Sequence, residues 1–499
     1  MEPDAAPVEE PDAPPIDRLA LGVVLLAVVL RVGAAWWLTR APSSVHDPLL
    51  YQRFAQGIAK GQGYLAFHGT PTSYYPPGYP FFLGAIQWVL DRVDQGARLP
   101  MAAAMVQAGL GGTTVWWLFR AGSRLGGRRV GLVAGAIVAC WPNLILQSTV
   151  LLSEPLFLAV FAGLLRAGVR ALDRLRDGST VAVQRHRDVV APRQRDPVGA
   201  VAAFWGSDRG RRLAAFAVAG AWLGICALVR SQVLVMFAAF AAALWSGTRR
   251  RVRAWSTRDA IAALVLVTVT AALVITPWTI RNAVVLGGFV PVSTNGGDNL
   301  CVGFNPAANG AFAVPKVCQT GDFYLDGPAA ELRRNRDTAR IARRWALHHL
   351  GALPMLSLRK LYWTYNGDVD GARAVESYDD TPVFSEATRA AVRAISNGYY
   401  AIVGLATIAG LVVLTRRTRG DRHEATLASF VVVGTLVSAL IPVAFFGDQR
   451  FKVAATPLFA LCAATALVAS TGLRHRDGQR GAPATEPGPT PPEGGRTAP

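Results

Sequence analysis

Lysine is nearly missing from this 499-residue chain: Lys60, Lys316, Lys360 and Lys452 are the only four among 51 basic residues, and arginine supplies the rest. With the abundant alanine, that bias points to a high-GC bacterial genome. Histidine and cysteine are scarce as well, with seven and five residues. No second His or Cys stands at metal-ligand spacing from His46, which makes His46 a loop residue rather than a zinc ligand. A Gly-rich phosphate loop beside a strand–helix unit is absent, which argues against a soluble nucleotide-sugar enzyme. No internal repeat is visible, which weighs against a transporter built from inverted halves. The start of the chain has no basic segment leading into a cleavable signal. Residues 1–17 are acidic and Pro-rich and read as a disordered tail, and Leu19–Leu38 reads as a retained signal anchor.

What the sequence has instead is apolar runs. Hydrophobic residues make up 52% of it and recur in blocks along almost the whole length. A run of about 20 apolar residues, rising about 1.5 Å per residue, matches the hydrocarbon core of a bilayer. About ten spanning helices are expected: Leu19–Leu38, Pro100–Phe119, Val130–Thr149, Pro155–Leu172, Leu213–Val229, Val233–Trp245, Asp259–Trp278, Gly398–Thr415, Thr426–Phe446 and Val453–Gly472. Pro80–Leu90 is too short to cross and reads as an interfacial or re-entrant helix. Gly, Ala, Ser and Thr within the runs suit close helix packing in lipid. The fold class is therefore an all-α polytopic membrane protein.

The net charge of +18 has two readings, and position separates them. A basic soluble protein suggests nucleic acid, whereas a basic membrane protein carries its surplus in cytoplasmic loops. With the N-terminus in the cytoplasm, the cytoplasmic turns contain Arg120, Arg124, Arg128 and Arg129, the Arg-rich loop 173–212, Arg249 to Arg253, Arg416 to Arg419, and Arg474 with Arg476. Every one is basic. The clusters read as topology signals, with no nucleic-acid partner, both termini cytoplasmic and a bacterial plasma membrane as location. Two long segments then face outward, 39–99 and 280–397. The expected organisation is a transmembrane module over 18–279, the outer region 280–397, further helices over 398–472 and a disordered tail over 473–499. Cys140, Cys226 and Cys462 fall in apolar runs as small buried hydrophobes. Cys301 and Cys318 share one polar outer loop, where an oxidising compartment permits a disulfide and free thiols are the alternative.

The first outer loop carries the most specific pattern. His46-Asp47-Pro48 follows the first helix, Tyr51 lies four residues on, and Gly61-Gln62-Gly63-Tyr64 precedes Tyr74-Tyr75-Pro76-Pro77-Gly78-Tyr79-Pro80. Further along come Ser153-Glu154-Pro155, Leu228-Val229-Arg230, Thr276 to Asn282, Ser293 to Leu300, Gly303 to Pro306, and Gly447-Asp448-Gln449-Arg450-Phe451. In this order the motifs resemble the GT-C glycosyltransferases, closest to the branch of protein O-mannosyltransferases and the lipid A aminoarabinose transferase (glycosyltransferase family 39-like), over roughly Leu19 to Val468. One departure stands out: related transferases carry Lys just before the Pro-Pro pair, positioned for the donor phosphate, and this chain has Tyr75.

The resemblance implies a GT-C-like bundle with interfacial helices in its first outer loop. It implies an enzyme moving a hexosyl or pentosyl group from a polyprenyl-phosphate donor to an acceptor hydroxyl on a glycan, lipid or protein at the outer face, with inversion. That chemistry needs a carboxylate to take the acceptor's proton and fixed cations around the departing phosphate. Asp47 is the candidate base, although its position alone also fits a solvated loop carboxylate. Glu154 ends an apolar run, where carboxylates are costly, and reads equally as an acceptor-orienting group or a helix N-terminal charge. Sharing a divalent metal with Asp47 is a further role open to it, which the spacing does not establish. Arg230 and Arg450 stand against the topology bias as phosphate-binding candidates, with Arg281 and Lys452 balanced between that role and snorkelling to headgroups. Tyr51, Tyr75 and Tyr79 are candidate sugar contacts, with an interfacial aromatic belt as the alternative. A lipid-linked sugar flippase or other transporter, or a non-catalytic scaffold, remains as a rival class.

Overall fold

The structure is a computed structural model; it describes residues 17–43, 46–66, 69–177, 207–249, 256–320, 327–377, 382–420 and 422–479. Residues 1–16, most of loop 173–212 and the tail beyond 479, for which disorder is expected, lie outside these. Among the described residues there are helices and two isolated bridges but no strand ladder.

Nineteen α-helices follow in order among the described residues. The first half comprises α1 (Arg18–Leu38), α2 (Asp47–Ala59), α3 (Gly78–Asp91), α4 (Leu99–Gly126), α5 (Arg128–Ala139), α6 (Pro142–Gln147), α7 (Glu154–Asp177), α8 (Asp208–Val229), α9 (Met236–Arg249) and α10 (Thr257–Leu286). Then come α11 (Gly296–Gly303), α12 (Gly327–His348), α13 (Leu353–Tyr365), α14 (Asp370–Ser377), α15 (Glu386–Arg417), α16 (Arg422–Ala439), α17 (Ile441–Ala444), α18 (Gln449–Val453) and α19 (Thr456–Gln479).

Seven described helical stretches are long and apolar enough to cross a membrane: α1, Glu154–Arg174, α8, Ser231–Arg249, α10, α15 and Glu424–Ala444. Thr456–Gly472 of α19 is apolar but shorter. α4 has the length, about 42 Å at 1.5 Å per residue, but its glycines, threonines and Gln107 keep it out of that group. The tenth expected span, Val130–Thr149, is not one helix. It breaks at Trp141-Pro142, because a proline ring removes an N–H and clashes with the preceding turn; Pro142 instead opens α6 as its first residue. The carbonyls left at the end of α5 are met by Arg31 of α1, whose guanidinium donates to Val138 and Ala139 at 3.1 Å. An arginine inside the first apolar run thus serves as a buried cap on a neighbouring helix.

The helices nearest the site outlast the expected spans. α10 runs to Leu286 through Pro277, starts with a Ser256–Asp259 capping box and stops at Gly287, whose φ of 71° suits a residue without Cβ. α15 starts at Glu386 rather than at Gly398, capped by Ser385. The expected boundaries at 279, 397 and 472 therefore fall inside helices, the last because α19 continues to Gln479.

α7 is the axis of the bundle. Of its apolar stretch 78% is buried, against 22% for α1, α10 and α15, which turn Leu25, Trp37, Leu273 and Ile402 outward as a lipid-facing perimeter. Small residues set the contacts. Gly220 and Gly224 of α8 lie on Val267 and Ala271 of α10, Gly122 lies on Gly131, and Gly410 lies on the backbone of Cys462. A methyl at Gly410 meets the Cys462 carbonyl, so the α15–α19 crossing depends on that glycine. Because α7 is central, its first residue, Glu154, stands in the middle of one end of the bundle.

Candidate active site

Four of the residues named from the sequence meet at that end. Pro48 follows Asp47 at the head of α2, a position where its missing N–H costs nothing. Glu154 opens α7 and is 1% exposed. Arg230 ends α8 in an extended conformation. Arg450 sits in α18, a five-residue helix whose N-cap, Asp448, accepts from the Arg450 N–H at 2.8 Å. The Arg450 guanidinium joins the two carboxylates: its Nε donates to Glu154 Oε1 at 2.5 Å and its Nη1 to Asp47 Oδ2 at 2.6 Å. Arg230 Nη1 reaches the same Glu154 oxygen at 2.6 Å. A buried carboxylate needs compensating charge, and two guanidiniums on Glu154 provide it.

The departure at Tyr75 finds its place here. Its hydroxyl donates to Asp47 Oδ1 at 2.6 Å, and burial with the neighbouring Asp47 raises its pKa well above the ordinary phenol value. Tyr75 therefore stays a neutral donor that fixes the Asp47 carboxylate. Tyr51 packs tilted against Tyr75 and edge-on against Tyr79. These groups border a cavity of about 530 Å³ lined by His46, Asp47, Tyr51, Tyr75, Arg230 and Arg450, together with Tyr74, Asn295, Asn299 and Arg334. A second, apolar cavity of about 360 Å³ opens beside it, lined by Pro77, Gly78, Phe81, Leu228, Val274, Pro277 and Trp278. The two are neighbours along the chain at Pro76–Pro77 and Leu228–Val229, where Gly78 lies tightly against Val229.

Glu154 stands behind Arg230 and Arg450 rather than on the cavity wall, and three other named residues turn away from the polar cavity. Arg281 donates to the Thr72 carbonyl (2.7 Å) and the Ser73 hydroxyl (2.9 Å), which pins the first loop to α10. Lys452 is fully buried beside Asp368 at 3.1 Å and donates to the Gly367 carbonyl at 2.6 Å. Tyr79 is buried and donates to Gln107 at 2.8 Å. Cys301 and Cys318 form a disulfide that ties α11 to the loop after it.

Other contributors were not singled out from sequence. Asp298 pairs with Arg334 at 3.1 Å and accepts from the Tyr74 hydroxyl at 3.1 Å. Glu331 accepts from Thr72, Ser73 and Thr294, which holds the two outer segments together. Asp370 and Asp448 line the cavity. Asp298 and Asp448 lie inside quoted motifs, so their signal was present; Asp370 follows an aromatic helix in Asn366-Gly367-Asp368-Val369-Asp370, a carboxylate-rich turn in the outer segment. A shared divalent metal does not fit Asp47 and Glu154, because guanidinium groups already occupy the positions a cation would take. Among the described residues, no group of three or more His, Cys, Asp or Glu is placed to hold one.

An all-helical, multi-pass bundle with a polar cavity at one end is the architecture of membrane transferases of the GT-C fold, and the chain has that fold. The archaeal oligosaccharyltransferase AglB from Archaeoglobus fulgidus, in complex with an inhibitory peptide and a dolichol-phosphate, matches it with a TM-score of 0.53 and 15% identity, over 94% of this chain and 52% of AglB. An Archaeoglobus fulgidus oligosaccharyltransferase tethered to an acceptor peptide matches with a TM-score of 0.52 and 15% identity, over 92% of this chain and 50% of that one. The chain thus spans about half the length of these oligosaccharyltransferases. No family model and no curated protein sequence matches it.

Proposed function

We propose that this chain is a glycosyltransferase that takes a sugar from a polyprenyl-phosphate donor and passes it, with inversion, to an acceptor hydroxyl at the outer face of a bacterial plasma membrane. The observation that carries the reading is the convergence of Arg230, Arg450 and Asp47 on one polar cavity that adjoins an apolar one, with Glu154 buried behind the two arginines and paired with both. Arg230 and Arg450 bind the donor phosphate and stabilise the charge it gains as the sugar leaves. The apolar cavity beside Trp278 and Pro277 takes the first isoprene units, which keeps the lipid in the bilayer while the sugar projects into the polar space. Asp47, held by Tyr75 and Arg450, exchanges one of those partners for the acceptor hydroxyl and receives its proton as the oxygen attacks the anomeric carbon. Glu154 holds the two arginines in register, and Tyr51, packed against Tyr75, borders the space for the sugar. All four charged groups stand at helix ends, whereas transporter sites lie near the membrane midplane.

Mass spectrometry of lipid-linked sugars and envelope glycans in a deletion strain tests this. One polyprenyl-phosphate sugar is expected to accumulate while one glycan loses that sugar. Unchanged pools of both contradict the reading.

A further inference from the structure

The polar cavity holds more acid than base. Asp47, Asp370 and Asp448 line it, Glu154 stands behind Arg230 and Arg450, and Asp298 stands behind Arg334. Facing these five carboxylates are three guanidiniums, Arg230, Arg334 and Arg450, together with the titratable imidazole of His46. Lys452 is spent on Asp368 in the wall behind them. A donor phosphodiester adds one more negative charge to this space, and like charges in close quarters cannot all remain ionised. Some carboxylate has to take up a proton as the phosphate arrives.

The partners of each carboxylate indicate which one. Glu154 is held by Arg230 and Arg450, Asp47 by Arg450 and Tyr75, and Asp298 by Arg334 and Tyr74. Asp448 caps α18 through the Arg450 N–H. Asp370, the first residue of α14, accepts from Gln147 Nε2 at 2.8 Å, a neutral amide. Asp368, two residues earlier, shows the contrast: it faces the protein interior and accepts from Trp141 Nε1 (2.7 Å) and Asn143 Nδ2 (2.9 Å) while pairing with Lys452. The charged groups around Asp370 are Arg450, Asp448 and Lys452 of α18, Glu154 of α7, and Asp368. α6 presents the neutral Gln147 to it, while Asn143 accepts from the neighbouring Gly371 N–H, and the Glu376–Arg389 pair joins α14 to α15 at the other end of α14.

On the reading that Arg230 and Arg450 hold a donor phosphate, we propose that Asp370 takes up one proton when the phosphodiester binds and then donates a hydrogen bond to a phosphate oxygen. Donor binding is thereby coupled to proton uptake, with Asp370 as a further phosphate-recognition residue. Its environment suits the role, because burial pushes the Asp370 carboxyl up to about 6, with Arg450 opposing part of that effect. Below that value the carboxyl is already protonated and binding is indifferent to pH. Above it the competent fraction falls tenfold per pH unit, so affinity at pH 8 is about 100-fold below its acid plateau.

The test measures binding of an undecaprenyl methyl phosphodiester to the purified full-length chain in detergent from pH 5 to 8. This probe keeps a single charge over that range, so its own titration adds nothing. Wild type is expected to lose affinity tenfold per unit above pH 6. Asp370→Asn, whose amide donates at every pH, is expected to give a flat profile and to bind about 100-fold more tightly than wild type at pH 8. Asp448→Asn, which retains a capping side chain, is expected to keep the wild-type slope. A flat wild-type profile, or an Asp370→Asn variant with the wild-type slope, overturns the proposal while leaving the phosphate site standing. Absence of binding by wild type, or undiminished binding by Arg450→Ala, sinks the phosphate site and this proposal with it.

Discussion

Asp47→Asn separates chemistry from architecture at this site. The substitution keeps the shape of the side chain and removes its charge and its capacity to take a proton. Asparagine Oδ1 can still accept from Tyr75, so one of the two bonds at 2.6 Å survives. Arg450 loses a charged partner but retains Glu154, to which it donates through Nε at 2.5 Å and Nη2 at 3.3 Å. The Asp47 side chain is 25% exposed, so the vacated charge is partly solvated. Stability should therefore fall by only about 1 kcal/mol, less than the 1.5–3 kcal/mol range for a fully lost charge-assisted bond. Turnover should fall by about 10²–10⁴-fold, the usual contribution of a positioned general base. The assay follows release of polyprenyl phosphate from the donor that accumulates in the deletion strain, using purified variant whose thermal unfolding is measured in the same detergent. A well-folded variant with near-normal turnover refutes the assignment of Asp47, and equal activity of Glu154→Gln removes the basis of the whole site.

Other expectations follow from the same geometry. Arg281→Ala should lower the unfolding temperature, because Arg281 ties the first loop to α10 through Thr72 and Ser73, while leaving lipid-phosphate affinity per folded molecule unchanged; a selective loss of affinity would restore Arg281 to the site. Reducing Cys301–Cys318, or replacing both by Ser, should cost roughly 3 kcal/mol in the chain-entropy account, and non-reducing peptide mapping that finds only alkylatable thiols contradicts the bond. Cysteines introduced at Ser207 and His348 should react with an impermeant reagent from opposite sides of the membrane, since arginine placement assigns the two segments to different faces. Labelling from the same side overturns the topology.

How far the sequence reached depended on the kind of information each residue carries. Apolar runs locate helices well because length and hydropathy are local, so α1, α7 and α8 fell close to their expected places. The break at Trp141-Pro142 was hidden by apolar residues that continue through it. At the site, motif order and helix-end position were enough to bring Asp47, Glu154, Arg230 and Arg450 together. The same signal could not tell them from Arg281 and Lys452, because a cation at a helix end does not reveal which way its side chain turns. Arg281 turns to loop carbonyls and Lys452 to a buried aspartate, both through contacts more than eighty residues away in sequence. Asp370 and Arg334 were out of reach for a related reason: their importance comes from segments folded over the cavity, and nothing in their local patterns states that distance.

The central claim is tested most directly by incubating the purified wild-type chain with its polyprenyl-phosphate sugar and an envelope-derived acceptor, and following both products by mass spectrometry. The account predicts stoichiometric appearance of free polyprenyl phosphate and of acceptor bearing one added sugar in inverted linkage, with both products lost in Arg450→Ala. Donor that stays intact with folded wild-type protein, or that crosses a reconstituted bilayer without being cleaved, contradicts it.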